Sequence, residues 1–272
     1  MSILELKKNK YPIYIISKGR YKKPLTAKCF IKNSVDFKIL VEPQEYDDYC
    51  KSLGEGYVVK LPFSNLGLGS YPARNYCFEL SKGNERHWCF DDNITEFWRL
   101  SNGKRWMCHP LECITPAEDF TDRFSNVLMS GFNYETFVSK STKKPFVINT
   151  KVYSGILLKN NMPFRWRMKY NEDVDLTLQI LHNKFCTIQF NAFLIDKVST
   201  AIKMGGGNQD ELYRGNDYGK KVLKASSLQK VWPQYAKTVY RFNRPHHQVS
   251  WAKHFKHPLI KNNTNKSEND QN

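Results

Sequence analysis

HWCFDDNITEFW, residues 87–98, decides how the chain is read. Trp88, Cys89 and Phe90 form an apolar run that meets two adjacent carboxylates, Asp91 and Asp92, before the chain turns apolar again at Ile94. Adjacent acids at the end of a buried strand repel each other, so they need a partner of opposite charge. A divalent cation meets that need, because Mg²⁺ and Mn²⁺ take oxygen ligands and leave positions for water or phosphate. An acidic turn that caps the following segment meets it as well.

Working outward, the same strand closes a regular alternation. YPIYIIS (11–17) is a β-type run ended by Lys18-Gly19-Arg20, and residues 25–33 suit a helix. FKILVE (37–42) is a second strand, QEYDDYCKSL an amphipathic helix stopped by Gly54, and YVVKLP (57–62) a third strand. The loop SNLGLGSYP leads into a helix over 72–82, and RHWCF (86–90) is the fourth strand. Strands and helices at this spacing predict right-handed βαβ units and an α/β fold with a mixed, mostly parallel sheet flanked by helices. Ligands of such sheets bind beyond the carboxyl ends of the strands. Ser17–Arg20, Glu42 and the Asp91-Asp92 pair all stand there.

The second half is less regular. Thr115-Pro116-Ala117-Glu118 has the form of a capping box with proline at the first helical position, which predicts a helix to about Ser130. PFVINTKVYSGILL (145–158) reads as strands, with a hairpin around Asn149 or Gly155. Residues 165–181 pass from strand into helix with Asn171 as cap, and KFCTIQFNAFLI (184–195) is β-rich. KMGGGNQDE (203–211) is a glycine loop. The expected division is one domain over 1–257 with a basic C-terminal extension, then a disordered tail over 258–272.

Composition narrows the class. Aromatics make up 14% of the 272 residues, enough for a large core, and no apolar stretch approaches the length of a membrane span. The amino terminus is too polar for a secretory signal, and the seven scattered cysteines lack any CxxC pair, so reduced thiols and a cytoplasmic setting are expected. Lys and Arg number 42 against 26 acids, a net charge of +16. The basic residues alternate with aromatics in FRWRMKY and VYRFNRPHHQVSWAKHFKHP, a pattern suited to phosphates and bases together. Nucleic acid is the expected partner. A second acidic group, Asn171-Glu172-Asp173-Val174-Asp175, stands at a helix start. It serves either the helix dipole or, across the cleft from the first pair, as a general base for an acceptor hydroxyl. Arg74 and Asn75, at the start of the 72–82 helix, suit a phosphate.

In order, IISKGR (15–20), ILVEPQEYDDY (39–49), GLGSYPARNYCFEL (67–80), HWCFDDNITEF (87–97), YNEDVDLTLQIL (170–181) and KMGGGN (203–208) resemble the TET-associated glycosyltransferases over roughly residues 11–210. That resemblance implies a GT-A-like, Rossmann-type fold and transfer of a sugar from a UDP-sugar, with glucose or a pentose such as arabinose as the sugar. It implies as acceptor the hydroxyl of 5-hydroxymethylcytosine in bacteriophage double-stranded DNA. By position, Ser17, Arg20 and Glu42 would contact the nucleotide, and Arg74 and Asn75 the donor phosphates and sugar. Asp91 and Asp92 would hold Mn²⁺ or Mg²⁺ and the diphosphate, and Glu172 and Asp173 would act near the acceptor. Lys18 and Asn93 depart from the family pattern, which commonly has an arginine and an acid there. A metal-dependent nuclease and a non-enzymatic nucleic-acid-binding protein are the competing readings.

Overall fold

The computed structural model describes residues 7–139, 141–198, 207 and 218–262. Its first half follows the alternation of the sequence: β1 (Ile13–Ile16), α1 (Leu25–Lys32), β2 (Lys38–Val41), α2 (Tyr46–Leu53), β3 (Val58–Lys60), α3 (Tyr71–Leu80) and β4 (Arg86–Asp91). β3, β2, β1 and β4 lie side by side and parallel, so their carboxyl ends share one edge. β4 is buried from Arg86 to Phe90, as a parallel strand covered on both faces must be.

The chain then crosses the sheet. Asp92 and Asn93 turn it directly into β5 (Ile94–Ser101), which pairs with β6 (Lys104–Cys108) and not with β4. After α4 (Leu111–Thr121) come β7 (Val127–Tyr134), β8 (Phe146–Ile148), β9 (Gly155–Lys159), α5 (Glu172–His182) and β10 (Cys186–Lys197). The sheet order is β3-β2-β1-β4-β9-β7-β10-β5-β6, with β8 paired to β10. β7 and β10 are parallel, while β9, β5 and β6 run antiparallel to their neighbours. The sheet is the expected mixed one, its parallel block on the amino-terminal side.

Several local expectations give way here. The helix after Cys108 starts at Leu111, with Pro116 inside it, and ends at Thr121. Thr115 donates to the Leu111 carbonyl instead of capping, and buried Glu118 accepts from the Trp88 indole at 2.9 Å. Residues 127–134 are a strand, since an apolar run buried on both faces carries no strand period. β8 and β9 form no hairpin with each other; β9 is inserted between β4 and β7. Residues 165–171 form no strand, and Asn171 holds the N-cap position of α5 without a side-chain cap, its amide donating instead to the Lys224 carbonyl at 2.6 Å.

The core on one face is aromatic. Trp88 stacks on Phe132 at 5.0 Å between centroids and on Phe90 at 5.3 Å, while Phe30 meets Phe90 edge-on at 5.4 Å. β9 approaches so closely that a Cβ on Gly131 would lie 2.1 Å from the Gly155 carbonyl oxygen. That approach sets Ser154 against the end of β4. The described carboxyl-terminal part is α6 (Tyr218–Val231), the antiparallel pair β11 (Ala236–Arg241) and β12 (Arg244–Val249), and a short α7 (Trp251–His254). Leu228, Trp232, Ala236 and Phe255 bury against Val174, Leu178 and Leu181 of α5. Residues 258–262, expected within a free tail, are bonded to 123–126: Ser125 donates to the Ile260 carbonyl at 2.9 Å and Asn262 to that of Arg123 at 2.8 Å. All seven cysteines are free, and no helix among the described residues is long and apolar enough to cross a membrane.

Candidate active site

A cleft of about 550 Å³ opens at the carboxyl edge of the parallel block. The ends of β1, β2 and β4 deliver Ser17, Glu42 and Asp91-Asp92-Asn93 to it, α3 delivers Arg74, and α5 delivers Glu172 and Asp173. β10, parallel to β7, brings Lys197 to the same place.

Asp92 faces the β1 turn. Ser17 donates to its Oδ2 at 2.5 Å, and the Arg20 guanidinium pairs with its Oδ1. Tyr49, buried on α2, shares a 2.5 Å hydrogen bond with the Ser17 hydroxyl and accepts from the Arg20 backbone N–H at 3.0 Å. Burial raises the Asp92 carboxyl above its ordinary range, against the opposing pull of Arg20 and Ser17. Gly207 lies against Arg20: its N–H donates to the Lys18 carbonyl at 2.7 Å. With φ +71° and a Cβ position only 2.6 Å from the guanidinium, that site demands glycine. The remaining residues of the predicted glycine loop lie outside the described residues.

Asp91 faces the opposite way. Arg74 donates to its Oδ1 at 2.7 Å, while Lys197 at 2.6 Å and Ser154 at 2.7 Å donate to Oδ2. Burial alone would raise this carboxyl, but Lys197 and Arg74 overcome it and hold Asp91 well below the usual carboxylate range. Arg74 is 3% exposed and lies over the Trp166 ring at 4.8 Å. Ser154 also shares a 2.7 Å hydrogen bond with the Tyr134 hydroxyl.

Arg74 leads on to the second acidic group. Its Nη2 stands 3.9 Å from Asp173 Oδ1 and its Nε 3.9 Å from Glu172 Oε1, which accepts from Ser70 at 2.7 Å. Burial, then Glu172 and Asp91, raise the Asp173 carboxyl well above its ordinary value, with Arg74 and Lys197 opposing. Its Oδ1 is buried without a hydrogen-bond partner among the described residues. Asp175 belongs elsewhere: it is fully buried and binds Arg167 and the Trp232 indole, tying the carboxyl-terminal part to α5.

Of the residues singled out by sequence, Ser17, Arg20, Glu42, Arg74, Asp91, Asp92, Glu172 and Asp173 line one cleft. Glu42 closes its far end. Burial raises that carboxyl, but the Asn65 N–H, Gln44 and Lys18 overcome the effect and lower it. Asn75 does not reach the cleft, because both ends of its amide hold the backbone of Trp166. Lys197, Ser154 and Tyr134 went unread, and Lys197 carries no local signal: it ends a β-rich run 106 residues from its partner. Across the lining, seven lysines and arginines face five carboxylates. A cleft with that surplus suits an anionic ligand.

A family model described as TET-Associated Glycosyltransferase matches residues 11–207, from the first residue of the β1 run to the glycine against Arg20. No curated protein matches the sequence. Among solved structures, the crystal structure of GalNAc-T7 with UDP, GalNAc and Mn²⁺ aligns at TM-score 0.45 and 10% identity, over 71% of this chain and 44% of that one. The chain therefore spans less than half the length of that protein. The family match takes in every cleft residue named above: the chain belongs to the TET-associated glycosyltransferases.

Proposed function

We propose that the cleft binds a UDP-sugar and transfers its sugar, glucose or a pentose such as arabinose, to the hydroxyl of 5-hydroxymethylcytosine in DNA. The observation that carries this reading is the pair of cations, Arg74 and Lys197, on Asp91 in the same cleft as the raised carboxyl of Asp173. The first supplies positive charge where a diphosphate leaves. The second supplies a base where a hydroxyl attacks.

The roles follow from position. The Ser17–Arg20 turn, braced by Asp92 and Tyr49, and Glu42 at the end of β2 receive the nucleoside. Arg74 and Lys197 stabilise the diphosphate as its bond to the anomeric carbon breaks, in a site partly shielded from water where charge acts strongly. Asp173 takes the proton of the acceptor hydroxyl as the new carbon–oxygen bond forms, a task suited to a carboxyl whose burial raises it above its ordinary value. Glu172, held by Ser70, orients the acceptor.

A divalent ion, Mn²⁺ or Mg²⁺, fits at one place. Asp91 offers a carboxylate, and the Asn93 Oδ1 is buried without a hydrogen-bond partner among the described residues. No three His, Cys, Asp or Glu side chains converge among those residues, so phosphate oxygens and water would complete the coordination. Asp92, expected beside Asp91 in the ion-binding pair, has its oxygens engaged by Arg20 and Ser17, as Asp91 has its own by Arg74, Lys197 and Ser154, so an ion held by either would displace one of these partners. When bound, the ion adds positive charge to the departing diphosphate.

Incubation with an oligonucleotide carrying 5-hydroxymethylcytosine, Mn²⁺, and UDP-glucose or UDP-arabinose tests the proposal by product mass. A hexose or pentose increment on the DNA is the expected result. Shortened strands would mark a nuclease, and tightly bound but unaltered DNA with every donor would mark a binding module.

A further inference from the structure

From 218 to 262 the chain holds ten lysines and arginines and no aspartate or glutamate. This segment lies beyond the residues matched by the family, and its projecting element is the β11–β12 hairpin. Arg241 pairs with Arg244 in register, leaving Phe242-Asn243 as a two-residue loop with φ of 50° and 55°. Such loops favour Asn or Gly at both positions, and a bulky aromatic at positive φ is an outlier. Phe242 gains little packing in return: it meets only the His246 ring, edge-on at 6.2 Å, among the described residues, is 88% exposed, and Tyr240 behind it is 62% exposed. Folding therefore does not account for an aromatic at this tip.

The surroundings indicate the ligand. Arg241 and Arg244 flank the ring and form no ion pair among the described residues. Arg241 donates to Gln248 at 3.3 Å and Arg244 to His246 at 3.0 Å. The base of the hairpin is fixed to the catalytic part of the molecule. Ala236 is buried against α5, the helix that presents Glu172 and Asp173, and the Thr238 N–H donates to Gln229 at 2.6 Å. On the same strand as the tip, His247 lines the cleft together with Lys224 of α6. His247 stands five positions beyond Phe242, a reach of at most about 16 Å at the usual rise per residue. A two-stranded ribbon fits the major groove, roughly 12 Å wide and 8.5 Å deep, where the C5 substituent of a cytosine projects.

We infer that the β11–β12 hairpin is the arm that engages duplex DNA, with Arg241 and Arg244 on the phosphates and Phe242 stacked into the gap left when the acceptor base turns out into the cleft. A base acted on at an enclosed site must leave the stack, and apolar side chains inserted between base steps stabilise the opened duplex. The inference rests on the proposal that DNA is the acceptor.

The test compares Phe242→Ala with the unaltered protein on one 5-hydroxymethylcytosine oligonucleotide, as duplex and as single strand, in competing transfer assays. Transfer to duplex should fall about ten- to a hundredfold, the usual effect of losing one stacked aromatic, and transfer to single strand should stay within about twofold. Arg241→Ala and Arg244→Ala should each weaken duplex binding and lower its salt slope by about one. UDP affinity, measured by calorimetry, should match the unaltered protein in all three and so exclude misfolding. An unchanged ratio of duplex to single-strand transfer in Phe242→Ala overturns the inference while the glycosyltransferase reading stands. Loss of self-association in that variant, with duplex transfer intact, also overturns it by assigning the tip to a second copy of the chain. If the unaltered protein glycosylates neither form of DNA, the acceptor assignment falls first and the hairpin's role with it.

Discussion

Asp91 and Asp92 are consecutive residues at the end of one strand, yet the regions they face differ in kind. The Asp92 region is closed: Ser17, Tyr49 and Arg20 form a buried network with both carboxylate oxygens engaged, and it sets the shape of the β1 turn. The Asp91 region is open to the cleft, and its partners Arg74 and Lys197 come from elements far apart in sequence. Burial acts on both carboxyls in the same direction. The second cation reverses its effect at Asp91 and is lacking at Asp92, so neighbouring acids end with opposite shifts. One strand end thus carries two acids in opposite environments, because side chains alternate across the sheet.

That contrast fixes what substitutions should do. The largest effect belongs to the open region: Asp173→Asn should lower kcat about 10²- to 10⁴-fold with UDP-sugar KM little changed. The base must be ionised to accept a proton, and its carboxyl is raised. The rate of the unaltered enzyme should therefore climb with pH through a limb above the ordinary carboxylate range, and a pH–rate profile of the variant should lack that limb. In the closed region, Asp92→Ala removes the acceptor of the buried Ser17 hydroxyl and one charged partner of Arg20, and should cost about 1–3 kcal/mol of stability, read as a lowered urea midpoint. Full stability with lost activity would break the contrast and place Asp92 in the chemistry.

Asp91→Asn should reduce transfer about 10²- to 10³-fold, with the circular dichroism spectrum retained, since it disperses the cations that meet the diphosphate. The smallest effect expected is that of Lys197→Met, which should raise UDP-sugar KM about tenfold through loss of one charge-assisted hydrogen bond. Tighter Mn²⁺ binding by that variant, measured by calorimetry, would sharpen the contrast by showing that ammonium and metal ion compete for Asp91.

The donor side of this architecture was legible because its contacts are local. β1, β2 and β3 lie side by side in chain order with one helix between each, α3 returns the chain to β4 beside β1, and each run ends in a polar residue at the shared edge. Ser17, Glu42 and Asp91 could thus be placed together from spacing alone. The second half resisted for physical reasons. Thr115-Pro116-Ala117-Glu118 has the composition of a helix start, yet Glu118 is drawn inside by the Trp88 indole, so tertiary burial overrides the cap. Val127–Tyr134 is buried on both faces and shows no alternation to mark it as a strand. Asn75 looked like a companion to Arg74, but a helix turns 100° per residue and carries its amide away to Trp166.

The sequence by itself determined the α/β alternation, the basic character, the acidic strand end and the family, since these are carried by short apolar periods, by charge and by motifs in order. Only the tertiary structure decided which partners each acid meets. That depends on β10 crossing to the far side of β7, so that Lys197 reaches Asp91, and on α5 turning Glu172 and Asp173 towards Arg74 while Asp175 turns inward. It also fixed the base of the hairpin to α5 through the packing of Ala236 and Trp232. Each is a contact between distant segments, and the energy that selects it lies in burial and charge pairing, which no local pattern records.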